Sequence, residues 1–278
     1  MKKSAILGTL ASLGLLSAAS AASLFGVTDD NRLVSLDISV PATFNSSVAI
    51  TGLFDADGIT LNPNGSIVNL TYNPMNGKLY GIDNNANFYQ INLGGVATLV
   101  SAGFSPAGFS SGLAYDPFSS NFVYVDVDDA AGNYTITPSG VVTSNPNFTY
   151  AGGGTPSIFA LAIDPDFSTP YTLDSQTDSL AVSTDPLFPQ GSELNVVGSL
   201  GIDVTSFGGL VANWDGTLYA ALSTDGLTSG LYSIDSVTGL ATSLGSFGGV
   251  GIASLAIPEP SITLLGGLGV LFLFRRRA

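Results

Sequence analysis

One short segment recurs five times along the chain, and its spacing restricts the folds open to it. Residues 69–74 read NLTYNP, 112–117 GLAYDP and 160–165 ALAIDP. Residues 209–214 (GLVANW) keep the pattern with Trp214 in place of proline, and 254–258 (SLAIP) keep it without the acidic residue. Each is a short apolar strand. The first three end in Asn/Asp-Pro, where proline presets φ for the second position of a type I turn. The leading leucines Leu70, Leu113, Leu161, Leu210 and Leu255 stand 43, 48, 49 and 45 residues apart. Periods of about 40–50 residues are those of four-stranded propeller blades.

The rest of each unit fits. A second strand follows the turn at 78–82 (KLYGI), 122–126 (FVYVD), 170–174 (PYTLD) and 217–221 (TLYAA). Polar turns lead to third strands such as 87–93 and 230–235. Gly-containing turns lead to fourth strands such as 96–100 and 240–244. Residues 24–29 read as a second strand with no first, 32–38 as a third and 47–51 as a fourth. Residues 254–257 read as a first strand with no second. Joined, the two ends make one blade, which closes a ring and hides its edges. The expectation is an all-β fold, a five-bladed β-propeller with blades at 251–257 plus 24–53, 66–101, 109–148, 157–200 and 204–247. A β-sandwich with evenly spaced hairpins is the competing architecture, and four near-identical first strands argue against it.

Both ends of the sequence read as addresses. Lys2 and Lys3 precede an apolar stretch from Ala5 to Leu16 and a run of small residues. Ala19, Ser20 and Ala21 fit the A-x-A pattern, so cleavage is expected after Ala21 or Ala22. At the other end, Pro258-Glu259-Pro260 precedes an apolar run from Ser261 to Phe274, then Arg275, Arg276 and Arg277. As a helix this run is about 21 Å long, short of the roughly 30 Å hydrocarbon core. Arginines held on the cytoplasmic side would leave the bulk of the protein outside. The expected organisation is a signal peptide at 1–22, a propeller-like domain at 23–257, and a sorting segment at 258–278 with a membrane helix at 261–274.

This C-terminal segment resembles the PEP-CTERM sorting signal of certain Gram-negative bacteria, in its Pro-Glu-Pro, its Gly-rich apolar stretch and its arginines. The resemblance implies processing near Pro258-Glu259-Pro260 by a membrane transpeptidase of the exosortase type. It also implies a transient inner-membrane intermediate, then delivery to the cell surface or extracellular matrix. Residues 24–257 resemble the uncharacterised propeller-like domain of some exported PEP-CTERM proteins, a resemblance that brings no activity with it.

Between the two addresses, Arg32 and Lys78 are the only basic residues against twenty acidic ones, a net charge of −18. Such a domain offers no nucleic-acid surface and no attraction to anionic lipid. With neither His nor Cys in the sequence, histidine-based triads, thiol nucleophiles and the usual zinc sites are excluded. No phosphate-binding glycine motif is present; Gly152-Gly153-Gly154 runs into Thr155-Pro156. Carboxylate chemistry is what remains.

The candidates follow from that. Asp126, Asp128 and Asp129 with Asn133, and Asp55 and Asp57 before Gly58, resemble parts of calcium loops without completing one. Calcium is thus the one candidate cofactor. Solvated turn carboxylates are the plainer reading. Asp29, Asp83, Asp126, Asp174 and Asp225 all follow second strands and should share one rim. Trp214 could stack on a sugar or pack over a blade. Tyr72, Tyr80, Tyr115, Tyr124 and Tyr219 recur with the blades and read as core. The sequons at Asn45, Asn64, Asn69, Asn133 and Asn147 read as incidental. The expected role is a non-catalytic surface or matrix protein binding exopolysaccharide or matrix partners, with no catalytic residue assigned. The alternative is a glycan hydrolase on a five-bladed propeller. It would need paired carboxylates, and Glu193 is the only glutamate of the domain.

Overall fold

The computed structural model describes residues 23–103, 111–126, 132–164, 169–185, 187–190 and 193–258. The cleavage residues Ala21 and Ala22 lie outside the described residues. So do Glu259, Pro260, the apolar run 261–274, Arg275, Arg276, Arg277, Asp128 and Asp129. The described residues form strands and turns and no helix.

The chain opens with β1 (Ser23–Thr28), β2 (Arg32–Asp37) and β3 (Phe44–Ala49). The second blade holds β4 (Ile67–Asn73), β5 (Lys78–Asp83), β6 (Phe88–Ile91) and β7 (Ala97–Ser101). The third holds β8 (Ser111–Asp116), β9 (Asn121–Asp126), β10 (Gly132–Ile136) and β11 (Val142–Asn145). After β12 (Thr149–Tyr150) the fourth comprises β13 (Ile158–Ile163), β14 (Pro170–Asp174), β15 (Ser179–Val182) and β16 (Glu193–Ser199). The fifth comprises β17 (Gly208–Ala212), β18 (Leu218–Leu222), β19 (Gly230–Ile234) and β20 (Ala241–Ser246). Last comes β21 (Ile252–Ala256), which returns to pair antiparallel with β1 and becomes the innermost strand of the first blade. Five antiparallel sheets result, and the inner strands β21, β4, β8, β13 and β17 contact one another in a closed ring. The protein is a five-bladed propeller closed by strands from both ends of the domain.

Two details depart from the sequence expectation. The fourth strand of the first blade starts at Phe44 rather than 47. The fourth blade has a fifth strand, because β12 adds in parallel to the outer edge of β16 through Thr149↔Glu193 and Tyr150↔Leu194.

Burial follows position in the ring. The inner strands β8 and β13 are buried at every residue, because each is flanked by neighbouring blades on both faces. The outer strands β3 and β20 are largely open. Five apolar clusters fill the interfaces between adjacent blades. Leu24, Leu36 and Val34 meet Val211 and Leu231 across the closing interface. Val27 and Leu33 meet Leu70 and Leu79 across the next.

The repeated segment is explained by alternation along the inner strands. Each leading leucine faces the preceding blade: Leu70 with Leu33, Leu113 with Tyr80, Leu161 with Val125, Leu210 with Leu173 and Leu255 with Leu231. Successive side chains of a strand point to opposite faces, so the residue before each leucine faces the following blade. That residue is Asn69, Gly112, Ala160, Gly209 or Ser254. The Ser254 hydroxyl accepts from the Leu70 N–H at 2.9 Å, and Asn69 Nδ2 donates to the Ser111 hydroxyl at 2.5 Å. At Gly112 a Cβ would lie 2.5 Å from the Leu161 backbone nitrogen, and at Gly209 one would lie 2.8 Å from that of Leu255. Small residues there let five inner strands converge about one axis.

Candidate functional site

The convergence leaves an opening at one end of the ring. A cavity of about 500 Å³, counting the part open to solvent, lies where the C-terminal halves of the five inner strands end. Its walls are those strands themselves. Its lip is formed by the residues that follow them: Pro74 and Pro117 after β4 and β8, Trp214 after β17, and Ile257 after β21. Tyr72 and Tyr115 stand just inside, with Ile163 and Ala212 at the matching places. Thr71, Tyr72, Tyr115 and Trp214 supply the polar side-chain atoms of the lining. No carboxylate is among the described lining residues.

The lip is held by the Asn/Asp-Pro turns foreseen from the sequence. The Asn73 Oδ1 accepts from the Met75 N–H at 2.9 Å. The Asp116 carboxylate accepts from the N–H groups of Phe118 and Ser119 at 2.9 and 3.2 Å. In the Trp214 turn, Asp215 accepts from the Thr217 N–H and from Asn213 Nδ2, and these bonds hold its carboxyl below the usual range. Each capping side chain fixes the backbone that carries the next, apolar residue to the lip.

The acidic register lies at the opposite end of the blades, and its members divide. Asp83, Asp126 and Asp174 end β5, β9 and β14 and are buried. Asp83 accepts from the N–H groups of Asn85 and Asn87, from Asn87 Nδ2 and from the Tyr89 hydroxyl at 2.9 Å. Burial raises its pKa despite those donors, and burial also pushes the Tyr89 phenol well up. Tyr89 accepts in turn from the Phe54 N–H, pinning the 50–66 loop against the blade. Asp174 accepts from Gln176 and Thr177 N–H, from Ser157 N–H, and from Tyr150, whose hydroxyl pKa burial pushes up to about 12. These carboxylates tie strands together. In β1 and β18 the register position belongs to Thr28 and Leu222, so Asp29 and Asp225 fall beyond the strands and are exposed.

Of the calcium candidates, Asp126 is fully buried with the Tyr124 hydroxyl at 3.2 Å from its carboxylate, and Asn133 Nδ2 donates to the Pro146 and Pro189 carbonyls. Asp57 is exposed and accepts from Ile59 N–H, Thr60 N–H and the Thr60 hydroxyl. Among the described residues no group of three or more acidic side chains is placed to hold a metal. Glu193 is exposed on the outer strand of the fourth blade, far from the mouth in the strand order. Asn69 and Asn133 are buried, which removes their sequons from reach of a modifying enzyme. Tyr80, Tyr115 and Tyr124 are buried as expected of core residues, whereas Tyr72 and Tyr219 are half-buried. Pro258 is half-buried beyond β21.

Sequence reasoning did not assemble the mouth. The signal was present in the residues immediately after each leading strand, Pro74, Pro117, Trp214 and Ile257. Equal register in a closed ring brings such residues together.

Comparison with known proteins follows the same outline. The family profile described as a domain of unknown function, DUF4394, matches residues 32–256. The chain belongs to this family. Proteins of curated function give no match. Solved structures similar to this DUF4394 chain include one in the nidogen/laminin complex, at 13% identity and a TM-score of 0.51, with 85% of this chain and 98% of that one covered. Another is a Bacteroides thetaiotaomicron VPI-5482 protein of unknown function, at 17% identity and 0.53, covering 82% and 56%. A third is hydrazine synthase of Kuenenia stuttgartiensis, at 16% identity and 0.41, covering 67% of this chain and 49% of that one. The DUF4394 chain thus spans about half the length of two of these three. At such identities the likeness concerns fold alone, and a propeller carries many functions.

Proposed function

We propose that this is an exported, non-catalytic cell-surface or matrix protein that binds a polysaccharide through the mouth of its propeller. In this reading the signal peptide at 1–22 delivers it, and the Pro258-Glu259-Pro260 segment with its apolar run and arginines directs sorting through an exosortase-type transpeptidase. The observation that carries the binding role is the lining of the mouth. Trp214 and Tyr72 offer ring faces on which the C–H faces of sugars stack, and their N–H and O–H groups offer hydrogen bonds. The cavity opens to solvent at its lip, where the end of a glycan can reach these rings. Hydrolysis needs an acid and a base flanking the bond, and the described lining residues supply neither.

Trp214 is the only tryptophan of the chain, so its fluorescence reports on the mouth alone. Protein recovered from the surface fraction of its own cells should start at Ala22 or Ser23 and end near Pro258 by mass spectrometry. Titrated with oligosaccharides of that cell's own exopolysaccharide, it should show a saturable change in emission. Replacing Tyr72 by Ala should weaken that change. Peptides containing Arg275 in the surface fraction would overturn the sorting, and emission indifferent to every glycan tested would overturn the binding.

A further inference from the structure

The two ends of the propeller differ in what they expose. The turns after inner strands and the turns between third and fourth strands share the mouth end, because strands alternate in direction along each blade. Apolar residues stand at the tips of these turns: Val40, Met75, Leu93, Phe118, Val141 and Val237, with Phe118 89% and Val237 82% exposed. At the opposite end, among the described residues, the comparable side chains are Ile59, Leu61 and Leu227, set among the exposed carboxylates of Asp29, Asp30, Asp55, Asp57, Asp203 and Asp225. Six separate turns raising a large apolar side chain on one face is more than scattered surface hydrophobicity.

The path of the chain says what this face meets. β21 ends at Ala256, Ile257 lines the mouth, and the apolar run begins at Ser261. The four peptide steps from Ile257 to Ser261 reach at most about 14 Å when fully extended. Once residues 261–274 span a bilayer, the mouth cannot stand farther from the lipid than that tether, and the apolar turn tips surround the point of attachment.

We propose that the mouth end of the propeller is a lipid-docking face, seated on the outer surface of the membrane for as long as the C-terminal segment is inserted. This rests on the reading of residues 261–274 as a membrane span. Asp37, Asp215 and Asp235 share the face with Lys78, so it suits a zwitterionic rather than an anionic surface. The apolar tips enter the headgroup region, as side chains of interfacial segments do, and Trp214 lies at the lipid boundary. The mouth is therefore covered while the protein is anchored. Cleavage near Pro258 uncovers it, so ligand binding begins only after release.

The test uses the full chain with its C-terminal segment, reconstituted in phosphatidylcholine vesicles. Flotation reports insertion of the segment, and loss of Trp214 emission in vesicles with brominated acyl chains reports docking. Expected are flotation, strong loss of emission, and recovery of emission in a Met75→Asp/Phe118→Asp variant that still floats. Val196→Asp, an exposed change on outer strand β16, should leave the loss in place. Flotation with undiminished emission would overturn docking and leave the membrane span standing. Failure to float would overturn both. Emission protected from bromine together with a doubled particle mass would assign the face to a second copy and overturn the proposal.

Discussion

Gly112 shows how much of this fold rests on a missing side chain. Its strand is buried on both faces, and the adjoining inner strand of the next blade comes so close that a Cβ would meet the Leu161 nitrogen and the Ala160 carbonyl carbon at 2.5 and 2.9 Å. Both atoms are backbone inside a hydrogen-bonded sheet, so neither can turn aside as a flexible side chain would. Overpacking costs typically about 1–3 kcal/mol, and more where the neighbours are rigid. Gly112→Val is therefore expected to lower unfolding free energy by about 3 kcal/mol or more in urea titration. Gly152→Ala, where a Cβ would meet nothing within 4 Å, should lie within about 0.5 kcal/mol of the parent. Equal losses in the two would count against close convergence of the inner strands. The leucines were legible in the sequence because burial is written in the residue itself. The role of Gly112 was not, since the atom its side chain would strike lies 49 residues further on.

At the scale of the element, turns carry a second and separate chemistry. Asp225 accepts from the N–H groups of Leu227 and Thr228 and from the Thr228 hydroxyl, between 2.8 and 2.9 Å. Asp57 and Asp235 repeat the arrangement, and Asp37 accepts from the Ser39 N–H and hydroxyl. These donors lower the pKa of all four carboxyls, most of all that of Asp225. A lowered folded-state pKa gives stability that is present above the unfolded value of about 3.9 and is lost as pH falls through the folded value. Asp83 runs the other way: its raised pKa gives stability present below that range and lost as pH rises through it. Asp225→Asn should melt lower than the parent at pH 6, and the gap should narrow progressively as pH falls below about 4, where the unfolded chain's carboxyl takes up its proton before the folded one does. A gap that is constant from pH 6 to 3 would mean that the carboxylate's charge plays no part. Hairpin by hairpin the blades were legible, since Asn/Asp-Pro turns and alternating apolar residues are local signals. β12 was not, because two residues pairing in parallel with a strand some forty residues on leave no local pattern. Nor was the shared rim of five aspartates, where register alone decides: Asp83, Asp126 and Asp174 sit inside the strand, Asp29 and Asp225 just past it.

The whole molecule depends on closure. The blades contain no disulfide, the sequence having no cysteine, and each sheet buries its faces only against its two neighbours. The first blade is the weak point by connectivity, because β21 reaches β1 from the far end of the domain. Deleting Leu24 to Ile38 removes β1 and β2, and with them Leu24, Val34 and Leu36 from one interface and Val27 and Leu33 from the other. It also strips β21 and β3 of their hydrogen-bonded partners. Large-to-small changes at single buried leucines already cost about 2–5 kcal/mol each, and five buried residues go at once. The sum exceeds the roughly 5–15 kcal/mol by which a domain is stable. The truncated chain should show no cooperative melting transition by circular dichroism, although the loss is confined to its N-terminal blade. Restoring the segment as a separate peptide should bring back a transition whose midpoint rises with peptide concentration, since a partner that binds only the folded ring stabilises it by mass action. A truncated protein that melts at the parent temperature would mean that four blades stand without the fifth, and that the ring is not the unit that folds.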